Sequence, residues 1–299
     1  MATLTMDLVA TGNQSIDVRF QYSGLEKDHY VNLSDALIQQ GEKGIPESDD
    51  LEASASGLTT GYAQTKWVSE RLVSEAGRRG MRGGIIRPAY VLGDTVTGVS
   101  NTDDFLWRLV KGCIQIGSIP DIHNTINMLP VNHVATCTVL ASFEDQEPLK
   151  VYHLTARPLP RFSSFLGTLN HYGYQVIKQD YLTWRISLEQ SIMKNDPQDN
   201  ALFPLLHFVL SDLPSSTKSA ELDDFNTTKL LTKNHLNDHR SIEIQDLAVY
   251  LAWLVNVAFL PPPSSNSENP LPTLSLDHHM TKLITKWDGH ERKVSKLPR

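Results

Sequence analysis

The feature that most constrains the fold is an alternation of helical and extended patterns between residues 61 and 117. Apolar residues recur at four-residue spacing over 65–79, which predicts an amphipathic helix. The apolar run 84–92 predicts a strand, and 102–115 predicts a second helix that opens on capping and acidic residues. Helices that alternate with buried strands are typical of an α/β fold with a parallel sheet.

The pattern changes after about residue 160. Before it, a helix at 131–143 and a strand at 151–155 continue the α/β alternation. After it, the pattern is mostly helical and predicts a substrate subdomain, followed from Pro261 by an extended segment and a short final helix. The helices predicted in this half are 163–171, 182–194, 203–213 and 244–259.

Composition excludes several classes of protein. A net charge of −7 does not suit a surface that neutralises nucleic-acid phosphates. The two cysteines are too few for a disulfide scaffold and indicate a reducing compartment. The longest apolar run, 247–260, is too short to cross a bilayer, and the first residues do not resemble a signal peptide. A cytoplasmic protein without nucleic-acid or membrane partners is expected.

A tyrosine and a lysine four residues apart, Tyr62 and Lys66, stand at the head of the first predicted helix. This spacing places both side chains on one helical face, about one turn apart. An ammonium beside a phenol favours the phenolate and lowers its pKa, so Tyr62 is a candidate proton donor to a carbonyl oxygen during hydride transfer. The alternative is a surface helix with an ordinary aromatic residue and a solvated lysine.

The same spacing recurs at Tyr174 and Lys178. There the local pattern alternates as in a strand, where residues four apart lie far from each other. Tyr62 and Lys66 are preferred because their helix leads through a glycine to the Ile-Ile-Arg-Pro strand end at 85–88.

Nucleotide binding in a doubly wound α/β fold uses a glycine-rich turn between a strand and the next helix. The one G-x-x-G-x-x-G spelling in the sequence, 77–83, instead follows a helix and precedes a strand, so it is interpreted as a helix end and a turn. The segment before Tyr62 is also too short for several strand–helix repeats of about thirty residues each.

Histidine pairs give little indication of a metal site. His235 and His239 flank Asp238 in a polar, loop-like stretch, and His278 and His279 are expected to be exposed. No metal is predicted.

Several longer stretches are more specific than the tyrosine–lysine spacing. They are His29-Tyr30-Val31, Glu47-Ser48-Asp49-Asp50-Leu51, Ser54-Ala55-Ser56-Gly57-Leu58-Thr59, Gly61 to Trp67, Ser100-Asn101-Thr102-Asp103-Asp104-Phe105-Leu106, Ile119-Pro120-Asp121-Ile122, Leu129-Pro130-Val131-Asn132-His133-Val134-Ala135 and Glu221-Leu222-Asp223-Asp224. From about residue 25 to 272 they make the chain resemble the C-terminal reductase domain of the fungal L-2-aminoadipate reductases.

The resemblance implies an NADPH-dependent thioester reductase. Its substrate would be an L-2-aminoadipyl thioester on the phosphopantetheine arm of a carrier domain, and its product 2-aminoadipate 6-semialdehyde, in lysine biosynthesis. Tyr62 would be the general acid, and Lys66 would tune it and bind the nicotinamide ribose. The turn after Arg87 and Pro88 would lie near the nicotinamide.

A third catalytic residue, a threonine in this family, is expected after an earlier strand. Tyr22 falls on that position, and the neighbouring Ser23 is the candidate substitute.

The fold implied is a partial Rossmann-like, extended short-chain dehydrogenase/reductase domain: a doubly wound α/β fold that lacks its first βαβ units. Residues 1–24 are expected to be an N-terminal segment outside the resemblance, 25–160 the C-terminal part of the Rossmann-like domain, 161–260 the helical substrate subdomain, and 261–299 an extended tail with a short helix.

Two functions are open at this point, an active reductase and a non-catalytic remnant that cannot bind the nucleotide. A sugar-nucleotide epimerase-like enzyme is a more distant third.

Overall fold

A computed structural model describes residues 45–49, 51–58, 61–144, 149–194, 200–211, 213, 221–236 and 240–274. Eight α-helices lie in these ranges: α1 Gly61–Arg78, α2 Phe105–Ile116, α3 Val131–Ser142, α4 Phe162–His171, α5 Tyr181–Lys194, α6 Leu206–Ser211, α7 Phe225–Lys233 and α8 Ile244–Asn256. Short 3-10 helices span Glu52–Gly57 and Phe203–Leu205. None of the described helices is long and apolar enough to cross a membrane.

Six short strands form three two-stranded parallel sheets. The strands are β1 Gly84–Pro88, β2 Tyr90–Val91, β3 Ser118–Pro120, β4 Met128–Leu129, β5 Lys150–Leu154 and β6 Ile177–Gln179. β1 pairs with β5, β2 with β4, and β3 with β6. Parallel pairs separated by helices confirm the predicted α/β class.

The predicted strand 84–92 is two strands, with a single residue, Ala89, between them. The Ala89 amide donates to Leu154 O at 2.9 Å, and the next amide, of Tyr90, donates to Asn127 O at 3.0 Å. The chain therefore changes partner strand at this point. The sequence predicted a turn after Pro88, but the chain instead continues through Ala89 into β2. Pro88 has no N–H to donate to a neighbouring strand, and it stands where the pairing with β5 ends and the pairing with β4 begins.

Two apolar cores lie on either side of this change of partner. The smaller core packs β1, β5, α3 and α7 around Ile86, Tyr152 and Leu231. The larger core joins α2, α4, α5 and α8 and contains the fully buried Trp107, Trp184 and other side chains from both sides of residue 160. The proposed boundary at residue 160 thus marks a change in secondary-structure content, and the larger core packs across it.

The helices predicted at 65–79, 102–115, 131–143, 163–171, 182–194 and 244–259 are present within a few residues of their expected ends. The short final helix predicted in the tail lies outside the described residues. α2 begins after Asp104, whose carboxylate accepts a hydrogen bond from the Leu106 amide at 2.8 Å. It ends at Gly117, whose φ of 68° is left-handed. The segment predicted as the helix 203–213 begins as a 3-10 turn and continues as α6. α7 was not predicted.

Candidate active site

Tyr62 and Lys66 lie in the first two turns of α1, as predicted. Both side chains are half-buried, and the Lys66 Nζ atom is 5.6 Å from the centroid of the Tyr62 ring. Thr65, between them, donates its hydroxyl to the Tyr62 carbonyl oxygen at 2.8 Å. The two side chains thus share one face of α1, with the ammonium beside the ring.

The segment before α1 is bonded to the opening turns of the helix. The Trp67 indole donates to Leu51 O at 3.0 Å, and the Gln64 amide donates to Leu58 O at 2.8 Å. These bonds orient the opening turns of α1 by contacts that do not involve Tyr62 or Lys66.

One turn beyond Lys66, Glu70 forms a buried ion pair with Arg87 at the end of β1. Arg87 Nε lies 3.1 Å from Glu70 Oε1, and Arg87 Nη2 also donates to this carboxylate. Only 2% of the Arg87 side chain and 5% of the Glu70 side chain are exposed. Because Tyr62, Lys66 and Glu70 follow at four-residue intervals, this pair fastens the Tyr62 face of α1 to the carboxyl end of β1.

His153 in β5 holds the other side of the Arg87 guanidinium. Its Nε2 is 2.9 Å from Arg87 Nη1, and its Nδ1 is 2.7 Å from the Asp223 carbonyl oxygen. A carbonyl oxygen only accepts and a guanidinium only donates, so the ring is the neutral tautomer with its proton on Nδ1. Burial and the charge of Arg87 lower the pKa of His153 to about 3, which agrees with this neutral form.

Glu47 closes the cluster from the segment 45–49. Its two carboxylate oxygens accept hydrogen bonds from the backbone amides of His153 at 2.9 Å and Asn226 at 2.6 Å. Burial, with a smaller contribution from the charge of Asp223, raises the pKa of Glu47 to about 7. A further bond runs from Arg87 Nη2 to Asp49 O at 2.9 Å. Segments from five parts of the chain therefore meet at one buried polar cluster.

The residues expected at the site have different placements. Tyr62 and Lys66 lie together, whereas the Arg87 guanidinium is enclosed by Glu70, His153 and Asp49 O and points into the protein. Ser23 and the neighbouring Tyr22 lie outside the described residues.

Sequence reasoning missed the partners of Arg87. Glu70 continues the spacing of Tyr62 and Lys66 by one more turn, and this spacing was the available signal for it. His153 stands in an apolar strand, which was a weaker signal. Glu47 belongs to one of the stretches that carry the family resemblance, and its local sequence gives no signal of a contact with His153.

The other tyrosine–lysine pair of the same spacing, Tyr174 and Lys178, makes contacts that stabilise the fold. The Tyr174 hydroxyl donates to Pro261 O at 2.8 Å, and the side chain is buried. Lys178 lies in β6 and pairs with Asp121 at 2.8 Å. The strand-like alternation predicted from Tyr174 is present only as β6, Ile177–Gln179, which contains Lys178, whereas Tyr174 lies before it.

The glycine run 77–83 has the predicted local structure. α1 ends at Arg78, Gly80 has a φ of 95°, and β1 begins at Gly84. In the part of the chain that the structure describes, no three His, Cys, Asp or Glu side chains are grouped as metal ligands. His235 is within that part, and Asp238, His239, His278 and His279 are outside it.

Comparison with known proteins places this chain in a family. Residues 20–138 match the NAD_binding_4 family model, described as "Male sterility protein". The L-2-aminoadipate reductase of Schizosaccharomyces pombe is 42% identical over 97% of this chain, and that of Saccharomyces cerevisiae is 43% identical over 95%. The chain spans 21% of the length of each of these two relatives.

Solved structures show the same fold. The terminal R domain of the myxalamid PKS-NRPS biosynthetic pathway superposes with a TM-score of 0.66 and 31% identity, over 75% of this chain and 56% of that domain. The reductase (R) domain of a nonribosomal peptide synthetase from Mycobacterium tuberculosis has a TM-score of 0.60 at 19% identity, over 73% of this chain and 57% of that one. The chain therefore belongs to the family of the fungal L-2-aminoadipate reductases, over a part that has the fold of a terminal reductase domain.

Proposed function

We propose that this chain carries the acid–base half of an NADPH-dependent thioester reductase. The observation that carries the proposal is the Tyr62–Lys66 pair on one face of α1, with the ammonium 5.6 Å from the ring centroid. A buried ion pair one turn further along fixes the same helical face. An oriented, half-buried phenol beside a cation is the arrangement that donates a proton to a carbonyl oxygen.

The described residues fit one end of a nicotinamide cofactor. Lys66 would hold the ribose next to the nicotinamide, and the backbone at Pro88 would lie close to the ring. The glycine run 77–83 does not fit the pyrophosphate, because it closes a helix and does not open one. The bound cofactor would supply the hydride.

Tyr62 acts on the oxygen of the substrate carbonyl. As the thioester carbon gains the hydride, the carbonyl π pair moves to oxygen and Tyr62 donates its proton there, giving a hemithioacetal. The C–S bond then breaks with its electron pair on sulfur, the hydroxyl proton returns to the Tyr62 phenolate, and the thiolate takes a proton from water, so that aldehyde and thiol are released. Lys66 stabilises the phenolate that Tyr62 forms between these steps.

The substrate class follows from the relatives. We assign the acyl group as L-2-aminoadipyl, because fungal proteins of that name match almost the whole chain. A solved thiolation-reductase di-domain has this fold, with a TM-score of 0.56 and 17% identity over 73% of this chain and 45% of that one. A phosphopantetheine thioester on a carrier domain is therefore the proposed form of the substrate, and the semialdehyde the product.

The test uses a chimera in which the sequence preceding the matched region of the S. pombe relative is fused in front of this chain. With a carrier-bound aminoadipyl thioester, NADPH oxidation is expected. Tyr62→Phe keeps the ring and removes the proton donor, so turnover should fall by about 10² to 10⁴ with little change in NADPH affinity. Tyr174→Phe is the matched control and should keep normal turnover. Near-normal turnover of Tyr62→Phe would reject the general-acid role.

The second candidate, a non-catalytic remnant, is favoured by the placement of the glycine run. It predicts that the chain alone binds NADPH weakly, because the hydrogen bonds that the described residues offer at the nicotinamide end do not offset the cost of immobilising the cofactor. Calorimetric titration of the chain with NADPH tests this: a Kd tighter than about 10 μM would exclude the remnant as formulated.

A further inference from the structure

The face of α1 that carries Tyr62 and Lys66 also carries a carboxylate, Glu70, one turn after the lysine. The Cβ atoms of residues four apart on a helix are about 6 Å from each other. The Lys66 ammonium therefore has two potential anionic partners, the Tyr62 phenolate one turn before it and the Glu70 carboxylate one turn after it. A pair of this spacing forms at the end of the same helix, where Nε of Arg79, the residue after α1, lies 2.6 Å from Glu75 Oε1. A lysine bound to Glu70 would not be available to Tyr62.

Arg87 holds the Glu70 carboxylate in a buried, hydrogen-bonded ion pair. The guanidinium donates from Nε and Nη2 to this carboxylate, and the pair is almost wholly excluded from water. A bidentate arginine–carboxylate pair is stronger and more rigid than a contact to a lysine ammonium. Glu70 is thus held by Arg87 of β1.

The remaining donors of Arg87 keep the fork in this orientation. Nη1 is 2.9 Å from Nε2 of the neutral His153 ring, and Nη2 is 2.9 Å from Asp49 O. Because His153 is neutral, it adds no competing positive charge. Among the described residues, the Arg87 guanidinium contacts the Glu70 carboxylate on α1, the His153 ring on β5 and the backbone carbonyl oxygen of Asp49. The Glu47 carboxylate accepts from the His153 amide, and the His153 ring donates to the Asp223 carbonyl oxygen.

We propose that Arg87 is a positioning residue for the Tyr62–Lys66 pair: by holding Glu70, it reserves the Lys66 ammonium for Tyr62. This inference rests on the proposed function of Tyr62 and deepens it. Loss of Arg87 leaves a buried carboxylate without its partner, which is strongly unfavourable. The cation one turn away, Lys66, then turns to Glu70, and Tyr62 loses the charge that favours its phenolate.

The experiment measures the pKa of Tyr62 in the full chain, without substrate or cofactor. Tyrosine labelled with ¹³C at Cζ is titrated by NMR, and Tyr62→Phe assigns the resonance. In Arg87→Met, the Tyr62 pKa should rise by about one unit, because a cation within about 6 Å lowers the pKa of a phenol by one unit or more. Arg87→Met with Glu70→Gln removes the competing carboxylate, so the Tyr62 pKa should return toward its original value.

The matched control is Arg79→Met, which breaks an exposed pair between the last turn of α1 and the residue after it and should leave the Tyr62 pKa unchanged. Where Arg87→Met does not fold, Arg87→Lys keeps the charge, loses the fork and should give a smaller rise that Glu70→Gln again reverses. An unchanged Tyr62 pKa in the Arg87 variants, or a rise that Glu70→Gln does not reverse, overturns the proposal. Failure of the proposed function is distinct, because it is read from turnover of the chimera.

Discussion

Replacing either Glu47 or His153 should change the pH dependence of stability, and the two replacements should change it in opposite directions. The two groups are buried neighbours, since the His153 amide donates to the Glu47 carboxylate at 2.9 Å. Folding shifts their pKa values in opposite senses, to about 7 for Glu47 and about 3 for His153. Each contributes a proton-binding difference between the folded and unfolded states.

For His153 the pKa falls from 6.5 in the unfolded chain to about 3 in the fold. Between these values the unfolded chain binds the proton and the folded chain does not, so stability is lost as the pH falls. At about 1.4 kcal/mol per proton and pH unit, a step from pH 6.5 to pH 4.5 costs about 2 kcal/mol of unfolding free energy.

For Glu47 the pKa rises from 4.5 to about 7. In this window the folded chain binds the proton and the unfolded chain does not, so stability is gained as the pH falls and lost as it rises through pH 7. The same step from pH 6.5 to pH 4.5 adds about 2 kcal/mol. In the unaltered protein these two contributions nearly cancel.

The assay is urea denaturation, followed by tryptophan fluorescence, at pH 6.5, 5.5 and 4.5. Relative to the unaltered protein, Glu47→Gln should lose about 2 kcal/mol over this step and His153→Gln should gain about 2 kcal/mol. Constant costs of each substitution cancel because only the change with pH is compared. If both variants follow the unaltered protein within about 0.5 kcal/mol, the assignment of a neutral His153 and a hard-to-ionise Glu47 is wrong.

Gly98 and Gly117 have similar left-handed φ values of 77° and 68°, but a Cβ at Gly98 would lie 2.5 Å from Val249 O, whereas at Gly117 it meets nothing within 4 Å. Gly117→Ala should lower the free energy of unfolding by about 1 kcal/mol, and Gly98→Ala should lower it by about 2 kcal/mol more. Thermal denaturation measures both, and equal shifts in Tm for the two variants would contradict the difference. Burial raises the pKa of the Cys137 thiol to about 12 and also raises that of Cys113. An aromatic disulfide reagent at pH 8 should therefore modify neither cysteine until urea is added, and rapid reaction of the native chain would contradict their burial.

Local pattern predicted most of the fold because helices such as α1 and α8 carry a regular apolar face. It failed where the structure depends on partners. The single apolar run 84–92 contains no local sign that β1 pairs with β5 and β2 with β4. α7 was missed because its sequence is polar, with only Thr227, Leu230 and Leu231 buried, and packing on α3 and β5 compensates for its weak helical pattern.

The candidate site was predicted in part for the same reason. The spacing of Tyr62 and Lys66 is a local property of one helix, and it identified the pair. The roles of Arg87, Glu70 and His153 arise from contacts between separate elements, which a one-dimensional pattern does not record. The arginine was recognised by position and expected at the nicotinamide, whereas its side chain is enclosed within the protein.

The contacts of Glu47 also order the events of folding. Its carboxylate joins residues 106 and 179 positions further along the chain, at His153 and Asn226. The hydrogen bonds of α1 are local and can form early, whereas contacts across such long sequence separations form late, so we expect the helix to form first and its anchoring to be completed last. We expect pulse-labelled hydrogen exchange during refolding to protect α1 amides before that of Asn226. The acid–base face would thus reach its final orientation only when residues 47 and 226 have come together.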